Sequence, residues 1–270
     1  MKNYLNIIIG VIGLLGLVSC GDKDVIIKEY TREPGTEAQV RFYNFGISAP
    51  SINFYANGKK VTATQSLTGE MAPTGVSFGG TYPSLGYVEI EPGSNITISS
   101  KTPTTLAIPT NNTNNYEQDK QVSSVNVSSL ESKKRYSLFI AGYFDKNTHT
   151  AESFIISDDL PPSDTSKVFI RFVNSGVAEA GTLSIKVSRM EGTTVLTEDI
   201  VDPALAFKTA TPFVAFPYGT YKFTIIPSNA TNRIWERTIS LNRDRVHTIA
   251  VRGDLRNTSP APLLDNTQNR

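Results

Sequence analysis

The chain has 270 residues, 39% of them hydrophobic and 19% charged, which is enough apolar material for a sizeable core and too little charge for a disordered chain. Lys and Arg number 26 against 25 Asp and Glu, a formal net charge of +1, so nothing draws the chain to nucleic acid and no nucleic-acid partner is expected. One Cys excludes an intramolecular disulfide and Cys-based zinc sites, and two His leave little for metal or acid–base chemistry.

Met1-Lys2-Asn3 is a short positive start, followed by an apolar run from Ile7 to Val18. A membrane-spanning helix needs about 20 apolar residues. The run is shorter and fits the apolar region of a secretory signal peptide. It ends in Leu17-Val18-Ser19-Cys20-Gly21, which resembles a bacterial lipobox: Leu at −3, a small residue at −1, then Cys. The resemblance implies that residues 1–19 are removed and that Cys20 carries acyl chains, giving the protein a membrane partner. More than one chain makes such an anchor stable. Gly21 in place of Asp implies delivery to the outer membrane. Asp22 and Asp24 partly resemble the short acidic surface-export signal of Bacteroidota lipoproteins. Residues 20–36 read as a lipidated tether, closing with Glu33-Pro34-Gly35-Thr36.

Internal repeats come next. Val40-Arg41-Phe42-Tyr43-Asn44-Phe45-Gly46 recurs as Ile170-Arg171-Phe172-Val173-Asn174-Ser175-Gly176, at offset 130. The stretch from Val88 through Pro92-Gly93 to Ile98 recurs from Val214 through Tyr218-Gly219 to Thr224, at offset 126. Tyr136 to Gly142 recurs as His247 to Gly253, at offset 111. Three landmarks in one order argue for duplication. The falling offset places an insertion in the first copy between Ile98 and Tyr136, where Pro109-Thr110-Asn111-Asn112-Thr113-Asn114-Asn115 reads as a loop. The expected organisation is a first domain over 37–160, a linker over 161–166, a second domain over 167–256 and a loose tail over 257–270, in which Leu263-Leu264 could add an edge strand. Pro161-Pro162 stiffens the linker toward an extended form, so the copies are expected to sit like beads on a short rod.

Apolar residues alternate at the strand period: Val40 and Phe42, Phe54 and Ala56, Leu183 with Ile185 and Val187, Tyr221 with Phe223 and Ile225. Asn57-Gly58 predicts a hairpin, because a type I′ turn needs positive φ at both central positions. Ser128 to Arg135 reads as a turn before a strand rather than a helix. The expected fold class is all-β, two tandem antiparallel immunoglobulin-like β-sandwich domains after the signal peptide. The repeated apolar-Arg-Phe-x-Asn-x-Gly start, the Asn-Gly hairpin, the Pro-Gly or Tyr-Gly turn and the final apolar strand resemble the domain-of-unknown-function 4397 family. The resemblance covers about residues 38–160 and 166–256. It implies an extracytoplasmic β-sandwich module, often tandem and often on lipoproteins, and no activity. Many members carry a His-Ala-Ser-Pro stretch where this chain has Asn44-Phe45-Gly46 and Asn174-Ser175-Gly176.

No pattern carries catalytic chemistry. His149 and His247 occupy different copies and are not aligned by the repeat. Gly75-Val76-Ser77-Phe78-Gly79 has the letters of a nucleophile elbow without its strand-to-helix context. Glu89 and Glu91 share a strand face at a spacing glycosidases use, roughly 6.5–7 Å, but read as a solvated face. Asp158-Asp159 and Asp254 read as turns rather than calcium loops. Arg41 and Arg171 recur off the core stripe, which fits a structural role such as pairing with an acid in each copy. The candidate ligand-binding residues are the aromatics Tyr43, Tyr55 and Trp235, since exposed rings stack on sugars or anchor partners. The expectation is therefore a non-enzymatic, lipid-anchored envelope protein with no cofactor and no metal. It would bind or display toward a glycan or an envelope or surface protein. An accessory glycan-binding lipoprotein of a polysaccharide-uptake system is the alternative, and a carboxylate hydrolase using Glu89 and Glu91 a third reading.

Overall fold

The structure, a computed structural model, describes residues 35–62, 74–258 and 261–270. The expected signal peptide, Cys20, Asp22, Asp24 and nearly all of the tether lie outside the described residues. Apart from one three-residue 3-10 turn, Ala178–Ala180, the regular structure described is all strand. Among these residues no helix is long and apolar enough to cross a membrane.

The first unit is a sandwich of two sheets. One sheet holds β1 (Ala38–Asn44), β4 (Thr81–Tyr82), β5 (Val88–Ile90), β8 (Arg135–Asp145) and β9 (Thr150–Ser157), in the order β4-β1-β8-β9 with β5 also on β1. The other holds β2 (Asn53–Ala56), β3 (Lys59–Lys60), β6 (Gly93–Lys101) and β7 (Gln121–Leu130), in the order β3-β2-β6-β7. The predicted hairpin joins β2 to β3: Asn57 has φ 46° and Gly58 φ 81°. Between the sheets lie Val40, Phe42, Phe54, Ile96, Ile98, Leu138 and Ile140, all buried. The Asn-rich insertion runs between β6 and β7, where Tyr116 caps one end of the core. Its hydroxyl donates to Ser48 O at 2.7 Å and its ring meets Phe144 at 5.7 Å.

The second unit repeats the plan. β10 (Lys167–Asn174), β13 (Val214–Pro217), β16 (Arg245–Arg252) and β17 (Leu263–Gln268) form one sheet. β11 (Leu183–Glu191), β12 (Thr194–Leu205), β14 (Gly219–Pro227) and β15 (Trp235–Leu241) form the other. Phe172, Ile185, Phe223, Ile249 and Val251 fill the space between them. Each unit is antiparallel except at one parallel pair, β1 with β8 and β10 with β16.

The repeat holds at the level of register. Phe42 lies opposite Leu138, and Phe172 opposite Ile249, which the offsets 130 and 111 convert into one another. Val40 opposite Val88 likewise becomes Ile170 opposite Val214. Tyr136 opposite Ser157 becomes His247 opposite Gln268, so β17 is the counterpart of β9. Of the two expectations for the tail, the edge strand at Leu263-Leu264 is the one found and the loose tail is corrected: residues 263–268 close the second sheet, with Leu264 in the core. Leu263-Leu264 signalled its start, while the polar residues Asp265 to Gln268 hid its length because β17 is an edge strand. A smaller correction falls in β6. Its core residues Ile96 and Ile98 match Tyr221 and Phe223, one residue off the expected register. The extra residue sits at Ser94-Asn95, where Asn95 has φ 54°, and a one-residue slip exchanges the two faces of a strand.

The units do not stand apart like beads. Tyr43, Phe45, Phe139, Ala141 and Phe154 of the first pack with Val173 and Ala250 of the second, and Phe207 and Ala210 lie against them. Tyr43 and Phe139 stack at 4.2 Å, and Phe139 and Phe154 at 5.2 Å. Burying each such side chain contributes about 1.5–3 kcal/mol, which outweighs any separation set by Pro161-Pro162. Every residue of β1 is buried: Ala38, Val40 and Phe42 face its own core, while Arg41 and Tyr43 face the other unit.

Candidate functional site

Among the described residues, polar and aromatic side chains come together at the interface between the units and in a groove beside Trp235.

At the interface the two repeated arginines are fully buried. Arg171 projects from β10 and donates to the Asp158 carboxylate at 2.5 Å, to Ser157 O at 3.0 Å and to Thr248 Oγ1 at 2.9 Å. Thr248 Oγ1 donates to Asn269 Oδ1 at 2.7 Å, Asn269 Nδ2 to the Tyr87 hydroxyl at 3.0 Å, and Tyr87 to Asp158 Oδ2 at 2.8 Å. The ring of hydrogen bonds thus closes on itself, and Ser137 adds a further donation to Asp158 at 2.7 Å. Desolvation raises the Tyr87 hydroxyl well above its ordinary pKa, and the Asp158 charge pushes the same way. Tyr43 is raised by burial too, with Arg41 pulling against it.

The expected acid partner is therefore present for Arg171 and not for Arg41. Arg41 donates to the backbone carbonyls of Pro83, Ser84 and Gln268, at 3.3, 2.6 and 2.7 Å. Guanidinium N–H groups in a fork suit carbonyls as well as carboxylates. Around Arg171 and Asp158 the donors and acceptors are spent on one another, which is the chemistry of a structural seal, while the buried Tyr43 hydroxyl beside them has no hydrogen-bond partner among the described residues. At another part of the interface Tyr143 donates to Asp254 Oδ2 at 2.7 Å, and Arg256 donates to the same carboxylate. Burial pushes the Asp254 carboxyl up, but the hydrogen bonds from Arg256 and Tyr143 outweigh it and hold its pKa low.

The groove opens between β15 and β17, with a volume of about 450 Å³. Trp235, Leu255, Pro262 and Leu263 supply apolar walls, and Glu236, Arg237 and Asp265 supply charge. The indole N–H donates to Leu255 O at 2.8 Å, and Arg237 donates to Leu264 O, which fixes both side chains. In the first unit the equivalent edges, β7 and β9, touch each other. There only residues 146–149 join the last two strands. In the second unit residues 253–262 intervene, and Leu255 and Pro262 hold the seam open. Ile234 and Leu263 beside it are exposed.

Of the sequence-based ligand candidates, Trp235 lines this groove. Tyr43 is 0% exposed and covered by the second unit, so no ligand reaches it in this arrangement. Tyr55 is half-buried, with Lys101 over its ring at 5.8 Å. The three do not converge. Cys20 lies outside the described residues. Glu89 and Glu91 are exposed. His149 meets Glu117 at 3.2 Å in a loop cluster, and His247 is buried with Nδ1 2.9 Å from Asn266 Oδ1. Asp158, Tyr87 and Asn269 were not anticipated as a cluster. The offset of 111 carries past Gly142 and Gly253 to match Asp158 with Asn269, and that signal was present in the sequence.

Among solved structures the chain is similar to a candidate cell adhesion protein from Bacteroides uniformis ATCC 8492. Identity is 7% over 86% of this chain and 96% of that one, with a TM-score of 0.30. It is also similar to the TIE protein of Bacillus anthracis, at 10% identity over 81% of this chain and 34% of that one, with a TM-score of 0.25. A leucine-rich repeat protein from Bacteroides thetaiotaomicron VPI-5482 overlaps at 12% identity over 82% of this chain and 27% of that one, with a TM-score of 0.18. No curated protein matches the chain. Residues 38–186 match a family described as Domain of unknown function (DUF4397), a stretch that takes in the first unit and runs through β10 into β11.

Proposed function

The chain belongs to the DUF4397 family by a match over more than half its length, and from that premise we propose a non-enzymatic binding or display protein of the cell envelope, its second unit a further copy of the module. The observation that carries this reading is the groove beside Trp235. It is an aromatic-walled surface concavity with a charged rim, whereas the buried groups that could do chemistry, Arg171, Asp158 and Tyr87, are locked in a structural ring. Concavities of this size that combine apolar walls with a few polar groups suit small ligands or one anchor residue of a partner. The lipobox-like Leu17-Val18-Ser19-Cys20 supports attachment through lipid on Cys20, and Gly21 supports the outer membrane as the destination.

An accessory glycan-binding role in polysaccharide uptake is the second reading. Trp235 favours it, since an indole face stacks on sugar rings while carboxylates and guanidinium take hydroxyls. The test is titration of envelope and dietary glycans onto the chain from residue 21 onward, beside its Trp235→Ala variant. Saturable binding lost at least tenfold in the variant places the ligand at the groove; equal binding by both removes it from there. Binding by neither rejects the glycan reading and leaves a protein ligand. Labelling with a fatty-acid analogue, present in the natural chain and absent in Cys20→Ala, tests the anchor.

A further inference from the structure

We infer that the contact between the two units is an isologous, two-fold pairing surface, so that the face carrying β1, β8 and β9 in one chain fits the matching face of β10, β16 and β17 in a second copy of the chain. In a two-fold contact, residue i meets j and the counterpart of j meets the counterpart of i. The contacts obey this rule. Arg41 of the first unit donates to Gln268 O of the second at 2.7 Å, and Arg171 of the second donates to Ser157 O of the first at 3.0 Å. Offset 130 turns Arg41 into Arg171, and offset 111 turns Ser157 into Gln268. Each guanidinium also lies over an aromatic ring of its own unit, Arg41 over Tyr87 at 5.9 Å and Arg171 over Phe213 at 4.7 Å, rings related by offset 126. Ile47 lies in one small buried cluster with Val177, its own counterpart at offset 130, and Ala180. A residue meets its counterpart only near the axis of a two-fold contact, and a head-to-tail contact has no such place.

The pairing is also selective between unlike units. Asp158 in the first corresponds to Asn269 in the second. Asn269 donates to the Tyr87 oxygen while Tyr87 donates to Asp158. Pairing two first units would replace that amide with a second carboxylate, which has no proton to donate, so each of the two Tyr87 phenols would lie between two buried acids and lose its amide donor. Pairing between chains would therefore be reciprocal, first unit to second unit, closing as a two-chain assembly.

The test shortens the connection in the full chain by deleting Pro162 to Thr165, so that a chain's own units no longer reach each other. The variant also carries Ile47→Cys, Val177→Cys and Cys20→Ser. The expected result is a doubling of mass in sedimentation, with an oxidative cross-link joining two chains. With the natural connection the same cysteines should link within one chain. A shortened protein that stays monomeric with folded units overturns the inference, as does a dimer that does not cross-link. Should the shortened chain fail to fold, two differently tagged chains with the natural connection are unfolded together in urea and refolded at high concentration. Mixed, cross-linked dimers sustain the inference, and single-chain species alone reject it.

Discussion

Arg171 and Arg41 hold equivalent places, yet their partners predict unequal consequences. Arg171→Met leaves Asp158 buried without its cation, a loss of about 3–5 kcal/mol. Arg41→Met leaves no acid without its cation and forfeits hydrogen bonds to three carbonyls, about 1.5–3 kcal/mol for each, with its place over the Tyr87 ring. Urea unfolding should show both losses, and adding Asp158→Asn should recover part of the loss in Arg171→Met and none of it in Arg41→Met. His247 sets a pH dependence. Burial lowers its pKa below the ordinary 6.5, so the unfolded chain takes up a proton that the folded chain resists. Stability from this residue is complete above about pH 6.5 and falls as the solution is acidified through the folded value. Melting temperatures between pH 5 and 8 should decline toward acid, and less steeply in His247→Gln. The recurrence of Arg41 and Arg171 was legible as structural. Their different partners were not, because Pro83, Ser84 and Asp158 come close only once the sheets form.

At the scale of elements, the Asn57-Gly58 hairpin was legible because its backbone requirement is local. A methyl group added at Gly58 would meet nothing within 4 Å, so Gly58→Ala should cost only the left-handed backbone, about 1–2 kcal/mol, and leave the hairpin in place. β17 was legible only at Leu263-Leu264, its polar remainder giving no strand signal, and it is exposed to a sharper test. Leu264→Ala removes its core anchor, a loss of about 2–5 kcal/mol, and amide exchange should rise in β17 and along the β16 edge it covers. The two-sided burial of β1 and β8 had a signal in Leu138-Phe139-Ile140-Ala141. That continuous apolar run, unlike an alternating one, marks a strand covered on both faces.

For the whole molecule, the fold class was written in alternation and repeat, while the arrangement of the two units was not. Sequence periodicity says that Tyr43 leaves its own core but not what it meets next, and here it meets the second unit rather than a ligand. If the lipid anchor delivers the protein to the cell surface, a protease that cannot cross the outer membrane should degrade it on intact cells. Protection until lysis would place it in the periplasm and remove Asp22 and Asp24 as an export signal. The registers also set how the molecule bears load. Gln39 lies opposite Arg135, and Tyr136 opposite Ser157, so chain entry and exit of the first unit lie at the same end of one sheet. Tension between a tether and a held second unit would peel β1 and β9 from that end, one hydrogen bond at a time, rather than slide them in shear. Arg171 on Asp158 and Arg41 on Gln268 clasp this end, and the force needed to open the molecule would be set there rather than in either core.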